Sequence, residues 1–407
     1  MRIALISEHA SPLAVICGAD SGGQNVHVAQ LARALGERGH HVTVYTRRDD
    51  PELHDRVRFC PGVTVEHVPA GPPTALAKDA LLPYMAEFGD HLATRWLLEP
   101  PDVVHAHFWM SGLAAQRGVS RLHGGGIPVL QTFHALGVVK RRHQGAADPS
   151  PPSRLRLEAG LARDAALVVA TCADEVTELT ALGVPASRIA VVPCGVDLER
   201  FSPSGPRAAR GSRHRILSLG RLVERKGVET TVRAMSAVPD AELVIAGGGD
   251  AIAEAEQARL TAIAAACGVQ DRVRLLGHIP RQDVPALLRS ADVVVSVAWY
   301  EPFGMVPLEA MACGVPVIAS AVGGHLDTVV DGRTGALVPP RDPAALAQRL
   351  RELLADPARL AAIGSAAAAR ARSRYGWGRI AVETELLYRQ VLADEETPAA
   401  SAPRGQS

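Results

Sequence analysis

Patterns that define several classes of protein are missing from this 407-residue sequence. No apolar run approaches the roughly 20 residues that a membrane-spanning helix needs, and Met1–Ser7 is too short for the core of a signal peptide. The six cysteines have no metal-type or redox-type spacing, which predicts buried free thiols. A formal net charge of zero argues against a nucleic-acid binder. We therefore expect a cytoplasmic enzyme with no integral membrane segment; weak peripheral membrane association and a homodimer are left open.

Lysine is the scarcest charged residue. Only Lys78, Lys140 and Lys226 are lysines among 43 basic residues, so arginine supplies nearly all generic positive charge. An ammonium group is a compact point charge, whereas a guanidinium is a planar fork. We therefore expect these three lysines at positions where a point charge is needed. The alternative is that they occur by chance.

Strand-like and helix-like segments alternate through both halves of the chain. Hydrophobic residues make up 47% and charged residues 21%, an ordinary globular composition. In the first half, the apolar positions of Gln24–Arg38 follow a helical period. The predicted strands of the first half are Arg2–Ser7, His41–Thr46, Thr64–Val68, Asp102–His105, Pro128–Thr132, Leu167–Thr171 and Ile189–Val192. Those of the second half are Arg215–Leu219, Glu242–Ala246, Arg272–Leu276, Asp292–Val297, Pro316–Ser320 and Gly335–Val338.

Such alternation predicts parallel sheets covered by helices on both faces. A Pro-, Gly- and Arg-rich stretch over Asp197–Arg213 is typical of a linker. We expect an α/β protein of two doubly wound Rossmann-like domains, residues 1–196 and 197–374, facing a central cleft. A terminal helix at about 375–394 follows, and the Pro-, Ala- and Ser-rich tail 395–407 is predicted to be disordered.

The segment Glu301-Pro-Phe-Gly-Met-Val-Pro-Leu-Glu309 is the most informative in the chain. It follows a predicted strand and leads into a short helix that Pro307 is expected to open and Gly314 to close. This puts Glu301 at the carboxyl edge of the sheet, where ligands bind in open α/β sheets, and Glu309 in the first helical turn. A carboxylate accepts several hydrogen bonds, so the pair could hold hydroxyl-rich groups; complementing the helix dipole is the alternative for Glu309.

This segment resembles the E-x7-E motif of retaining glycosyltransferases of family 4, whose GT-B fold has two facing Rossmann-like domains. The segment Gly220-Arg-Leu-Val-Glu-Arg-Lys-Gly227 is similar to a second motif of that family. Arg221 and Lys226 lie there between a strand and a helix, where an Arg fork and a Lys point charge could neutralise a diphosphate. The resemblance implies that they bind the donor diphosphate.

Glycines follow two further predicted strands. Gly22 and Gly23 precede the first helix, and a helix amino terminus favours an anion. This loop resembles the glycine loop of the family, which implies that Gly23 lies near the phosphates and that Gln24 and Asn25 face the acceptor. Gly323-Gly324 is expected to offer a second helix amino terminus to the same diphosphate. Gly247-Gly-Gly249 is interpreted as a turn.

Histidines end two strands of the first half. In Asp102-Val-Val-His-Ala-His-Phe108, no third ligand has suitable spacing, so metal binding is not expected. His107 is expected to line the cleft, and His105 to be structural. His134 follows the next strand, and the resemblance implies that it contacts the transferred sugar. Lys140–His143 could face an anionic acceptor or form a solvated loop.

The resemblance implies a reaction and a set of site residues. The enzyme would transfer a hexose or N-acetylhexosamine, with retention, from a nucleoside diphosphate sugar (a UDP-sugar is favoured) to a hydroxyl group of a small acceptor, without a required metal or other cofactor. Glu309 would hold the ribose and Glu301 the sugar. The implied catalytic residues are His134, Arg221, Lys226 and Glu301. The implied donor-binding residues are Gly23, Arg221, Lys226, Glu301, Phe303, Gly304, Met305, Val306 and Glu309.

The acceptor is less defined. The implied acceptor-binding residues are Gln24, Asn25, Lys78, His107, Phe108 and Arg154. Lys78 and a basic residue near Arg154 are shared with the inositol-phosphate N-acetylglucosaminyltransferases, and sucrose-phosphate synthases are another similar branch. However, Phe108 and Ala135 replace a Tyr and a Thr that bind phosphate in the first branch, which leaves another polyol, cyclitol, sugar or sugar phosphate open. A nucleotide-sugar 2-epimerase and a non-catalytic nucleotide-sugar binding protein are the alternative functions.

Overall fold

The computed structural model describes residues 1–14, 22–122, 126–211 and 213–396, with the side chains of 395 and 396 left out. Of the predicted tail 395–407, the first two residues belong to the last helix and the rest lie outside the described residues, as do Cys17 and part of the first glycine loop. The strands of the first sheet are β1 Arg2–Ile6, β2 His41–Arg47, β3 Arg56–Cys60, β4 Val63–Val68, β5 Val103–His107, β6 Val129–Thr132, β7 Leu167–Ala170 and β8 Ile189–Val191. Those of the second sheet are β9 His214–Leu219, β10 Ala241–Ala246, β11 Val273–Gly277, β12 Val293–Ser296, β13 Val317–Ser320 and β14 Gly335–Val338.

Helices follow most of these strands. Those before the second sheet are α1 Gly23–Glu37, α2 Met85–Leu98, α3 Trp109–Ser120, α4 Gly137–Gln144, α5 Arg154–Asp164 and α6 Ala173–Ala181. The others are α7 Val228–Ala234, α8 Ala251–Ala266, α9 Val284–Arg289, α10 Met305–Ala312, α11 His325–Thr328, α12 Pro343–Leu354, α13 Pro357–Arg374 and α14 Trp377–Glu396. Within the described part of the chain, no helix is both long enough and apolar enough to cross a membrane.

Both sheets are doubly wound. The strand order is β3-β4-β2-β1-β5-β6-β7-β8 in the first and β11-β10-β9-β12-β13-β14 in the second. Hydrophobic cores cover both faces of each sheet, as expected where helices flank parallel strands on either side. The expected architecture of two Rossmann-like sheets is therefore confirmed.

One strand was missed in the sequence. The β3 strand pairs antiparallel with β4 at the edge of the first sheet. Its alternating Arg56 and Arg58 place charge along a partly exposed edge, so it lacks the apolar run that marks the buried parallel strands. Charged edge strands are common because they discourage pairing between molecules.

The chain crosses from one domain to the other twice, and the two connecting segments lie next to each other. Val196 donates its N–H to the carbonyl of Tyr375 (2.7 Å), so the outgoing and returning segments run side by side. Beyond this crossing, α14 packs on the first domain. Its Tyr388 hydroxyl lies 2.8 Å from Nδ1 of His105, and its Glu385 forms an ion pair with Arg38, which follows the last residue of α1.

Candidate active site

The carboxyl ends of strands from both sheets face one cleft of about 490 Å³. Phe108 and His134 follow β5 and β6 of the first sheet. Gly220, Gly247 and Glu301 lie beyond the ends of β9, β10 and β12 of the second. Ligands of doubly wound sheets bind at this edge, and the volume suits a small-molecule substrate.

The second domain forms one wall of the cleft, here named the donor wall. The nine residues predicted to bind a donor all line the cleft, eight on this wall and Gly23 opposite. The eight are Arg221, Lys226, Glu301, Phe303, Gly304, Met305, Val306 and Glu309.

The helix between the two glutamates begins earlier than expected. The first residue of α10 is Met305, and Gly304 caps it with φ 91°, a left-handed conformation that favours glycine. Pro307 is therefore the third helical residue, and Glu309 lies in the second turn. The expected position of Glu309 in the first turn is wrong, and so is the alternative that it complements the helix dipole from there.

Lys226 and Glu301 form an ion pair inside the cleft. Lys226 ends a short 3-10 turn, Glu224–Lys226, just ahead of α7. Burial acts to raise the pKa of Glu301, but the charge of Lys226, with smaller effects of His325, of the hydrogen bond from Lys226 and of Arg225, outweighs it and lowers that pKa below its usual value. Glu301 is thus held as a carboxylate, able to accept hydrogen bonds from hydroxyl groups.

Glu309 has a different partner. Its Oε1 lies 2.5 Å from Nη2 of Arg281, a residue that the sequence analysis missed. Burial raises the pKa of Glu309 despite Arg281, and its buried Oε2 has no hydrogen-bond partner among the described residues. An acceptor atom left without a donor inside a cleft indicates a ligand group that supplies one.

Two helix amino termini meet across the cleft. A Cβ atom on Gly23, the first residue of α1, would lie 3.2 Å from Sδ of Met305, the first residue of α10. Helix amino termini carry partial positive charge and unpaired N–H groups. Together with Arg221 and Lys226 they make this part of the cleft suitable for an anion.

The second glycine pair has another role than expected. Gly324 donates its N–H to the carbonyl of Glu301 (3.0 Å), and the α11 helix that follows has only four residues. A Cβ atom on Gly323 would lie 2.1 Å from the same carbonyl. The pair therefore lets the β13 loop pack against the Glu301 backbone, and the expected phosphate contact from Gly324 is wrong because its N–H is already used.

The first domain forms the opposite wall, here named the acceptor wall. Phe108 is at its centre, with the Lys78 ammonium 5.6 Å and the Arg154 guanidinium 5.2 Å from the ring centroid. Cations at this distance are attracted by the face of an aromatic ring. Arg154 also donates to Glu158 (2.7 Å), to Ser150 (3.1 Å) and to the carbonyl of Ala135 (2.6 Å), so its position is firmly fixed.

Gln24 and Asn25 point in different directions. Gln24 lines the cleft and donates to the carbonyl of His107 (3.1 Å). Asn25 is buried, accepts a hydrogen bond from the Gly22 N–H (3.1 Å) and donates to the carbonyl of Ser11 (3.1 Å). The expectation that Asn25 faces the acceptor is wrong, because its side chain fixes the start of α1 instead.

His134 lines the cleft, but His107 does not. His107 is fully buried, and its Nδ1 lies 3.0 Å from Nε2 of His134, so it supports His134 from behind and the expected cleft position is wrong. His134 has a φ of 61°, and Phe108 a φ of 84°. Residues other than glycine rarely adopt this backbone conformation, and such strain concentrates at functional sites. His105, bonded to Thr132 (2.9 Å) and Tyr388, is fully enclosed, as expected.

All three lysines of the chain line the same cleft. Lys140 forms an ion pair with Asp148 (2.9 Å). Arg142 and His143, on the same helix, instead line an adjoining cavity of about 250 Å³. The stretch Lys140–His143 is thus neither a solvated loop nor a single anion site, since it is helical, only Lys140 lines the main cleft and the exposed Arg141 lines neither cavity.

Comparison with known proteins follows the same division into two domains. Residues 21–200 match the model of the family described as Glycosyltransferase Family 4, and residues 205–370 match that of Glycosyl transferases group 1. A D-inositol 3-phosphate glycosyltransferase from Catenulispora acidiphila is 37% identical, over 96% of this chain and 96% of that protein. The chain belongs to glycosyltransferase family 4.

Solved structures agree. Sucrose-phosphate synthase from Thermosynechococcus elongatus is 34% identical, with a TM-score of 0.89 over 97% of this chain and 99% of that one. HepE from Anabaena, solved with UDP and glucose, is 20% identical, with a TM-score of 0.73 over 95% of this chain and 99% of that one, a likeness of fold alone. The protein is a glycosyltransferase with the GT-B fold.

Proposed function

We propose that this glycosyltransferase moves a hexose or N-acetylhexosamine, with retention, from a nucleoside diphosphate sugar to a hydroxyl group of a small phosphorylated polyol or sugar. UDP is the favoured nucleotide. The observation that carries the proposal is the convergence of Arg221, Lys226, Glu301 and Glu309 on one cleft between two helix amino termini.

The donor is proposed to bind by an exchange of partners. Before binding, Lys226 is paired with Glu301 and Arg281 with Glu309. A diphosphate would attract Lys226, and the hydroxyl groups of the sugar and ribose would donate to Glu301 and Glu309. Each buried charge would keep a partner throughout, which avoids the cost of leaving it unpaired.

The positive charges of Arg221 and Lys226 would lower the barrier to bond breaking. As the bond between the anomeric carbon and the diphosphate oxygen breaks, negative charge grows on the diphosphate beside Arg221 and Lys226. Groups that interact more strongly with the transition state than with the substrate lower the barrier. The acceptor oxygen forms the new bond on the same face of the sugar, and the departing phosphate takes its proton. In this proposal, side-chain cations supply the charge without a required divalent ion.

The acceptor wall favours a phosphorylated substrate. Lys78 and Arg154 present two cations over Phe108. Arg154 pairs with Glu158, and its contacts with Glu158, Ser150 and Ala135 use three of its five N–H groups, which leaves two for a ligand. Of the relatives above 30% identity, one is named for inositol 3-phosphate and another for sucrose phosphate. Because Phe108 has no hydroxyl, cations alone would hold the phosphate here.

The test measures acceptor-dependent release of UDP or GDP from UDP-glucose, UDP-N-acetylglucosamine and GDP-mannose, with phosphorylated and unphosphorylated sugars and inositols as acceptors. We expect release only with a phosphorylated acceptor, an α-linked product by NMR, and a loss of at least about a hundredfold in Glu301→Ala. Equal release without acceptor would instead indicate hydrolysis, and an altered sugar on the intact donor without an acceptor would indicate epimerisation. A β-linked product would contradict retention.

A further inference from the structure

Three histidines from separate elements meet below the floor of the cleft. His27 lies on α1, His107 at the end of β5 and His134 just after β6. One ligand atom from each lies within 4.8 Å of the others. Sequence spacing gave no third ligand for the strand histidines, because His27 is 80 positions away from His107.

The three nitrogens are close enough to bind one ion after a small movement of the rings. A tetrahedral Zn²⁺ with Zn–N bonds of 2.0–2.1 Å requires nitrogens about 3.3 Å apart. Nδ1 of His107 and Nε2 of His134 are 3.0 Å apart, so an ion could replace the proton that they share with little movement.

His27 is held in place by a neighbouring thiol. Its Nδ1 lies 3.3 Å from Sγ of Cys194, which leaves Nε2 of this ring for an ion. Metal-binding histidines commonly use their second nitrogen in this way, and such contacts fix the tautomer and the orientation of the ring. Burial lowers the pKa of His27 to about 4 and keeps the pKa values of His107 and His134 well below the usual value. All three rings are therefore neutral near pH 7, as metal ligation requires.

We propose that His27, His107 and His134 bind a transition-metal ion such as Zn²⁺, and that this ion inhibits the enzyme. Three imidazoles suit Zn²⁺, Co²⁺, Ni²⁺ and Cu²⁺, whereas Mg²⁺ and Ca²⁺ prefer oxygen ligands. Of the three, only His134 lines the cleft. An ion bound to it would withdraw the imidazole that is proposed to contact the transferred sugar.

The experiment measures metal binding by the full-length chain without substrate, so it does not depend on the proposed function. Metal-free protein is titrated with Zn²⁺ by calorimetry and with Co²⁺ by absorption. We expect one ion per chain, at least about a hundredfold weaker binding in His27→Gln, and 10–100-fold weaker binding in Cys194→Ala. His54→Gln, which changes an exposed histidine, should bind as tightly as the native chain.

Absence of binding to the native chain would overturn the proposal, as would equal affinity in His27→Gln. Circular dichroism shows whether His27→Gln has folded. If it has not, Cys194→Ala decides, and unchanged affinity in that variant overturns the site. The inhibitory role is tested separately and rests on the proposed function: Zn²⁺ should inhibit sugar transfer by the native enzyme and not by folded His27→Gln. Equal inhibition of both would overturn that role.

Discussion

The two walls of the cleft hold their charges in different ways. On the donor wall, cations and carboxylates neutralise each other in pairs, Lys226 with Glu301 and Arg281 with Glu309. On the acceptor wall, Lys78 and Arg154 lie over the ring of Phe108, and Glu158, the carboxylate that pairs with Arg154, does not line the cleft. Paired charges can exchange partners when a ligand with both phosphate and hydroxyl groups enters. Among the described residues, the acceptor wall presents cations and an aromatic ring to the cleft but no carboxylate. The difference suits one wall to a nucleotide sugar and the other to a phosphorylated acceptor.

The largest expected effect comes from the donor wall. Lys226→Ala removes a charge beside the proposed leaving group, which should cost about 3 kcal/mol, or roughly a hundredfold in turnover. Steady-state kinetics with saturating donor and acceptor measure it. Arg333→Ala removes an exposed cation outside the cleft and should leave turnover within twofold. Similar losses in the two variants would argue that Lys226 acts only through overall charge.

The Arg281–Glu309 pair is expected to contribute to stability as well as to donor binding. Glu309→Gln leaves Arg281 facing a neutral amide, so the free energy of unfolding should fall by about 1–3 kcal/mol. Urea denaturation measures this. Glu383→Gln breaks the exposed Arg379–Glu383 pair of α14 and should cost no more than about 1 kcal/mol. A larger loss in Glu383→Gln would contradict the importance of burial.

The buried histidines of the first domain predict acid sensitivity. Burial lowers the pKa of His27 to about 4 and, with a smaller effect of His27, that of His105 to about 3, from 6.5. At a pH between 6.5 and these lowered pKa values, each of the two histidines is protonated in the unfolded chain but not in the folded chain. Stability that is present above about pH 6.5 is therefore lost as the pH falls, by up to about 1.4 kcal/mol per pH unit for each such histidine. Urea denaturation midpoints at pH 7 and pH 5 measure this loss. The midpoint should shift less between the two pH values in His27→Gln than in the native chain. Stability that rises on acidification would show these rings to be charged.

The smallest expected effect concerns the acceptor wall. Phe108→Tyr adds a hydroxyl group beneath Lys78 and Arg154, where one further hydrogen bond to a phosphate is worth about 1 kcal/mol. The KM for a phosphorylated acceptor should fall about fivefold while the KM for the donor stays the same. An equal change for an unphosphorylated acceptor would show that the hydroxyl does not contact phosphate.

The donor wall was predictable because its residues follow each other in the sequence. A strand, a turn and a helix place Glu301 and Glu309 together without knowledge of the rest of the fold, and the same holds for Arg221 and Lys226. Arg281 comes from the loop after β11 and meets Glu309 only through the order of the strands. Arg281 follows Gly277-His-Ile-Pro, just beyond the end of a predicted strand, and this position could have indicated that it lies near the ligand-binding edge of the sheet.

The acceptor wall was harder to predict because its residues come from several elements. Helical periodicity did not distinguish Gln24, which lines the cleft, from Asn25, which holds the start of α1. Strand alternation places His105 and His107 on the same face. Their different environments arise from α14 on one side and His134 on the other. The positive φ of His134 and Phe108 depends on tertiary packing, which no local pattern shows.

Lys78 and Lys226 give the most direct test, since they are the same residue type on opposite walls. Calorimetric titration of UDP into the native chain, Lys226→Ala and Lys78→Ala separates the two walls. The account predicts at least tenfold weaker binding in Lys226→Ala and less than twofold change in Lys78→Ala. Equal weakening in both variants, or weakening confined to Lys78→Ala, would contradict a nucleotide held by the donor wall.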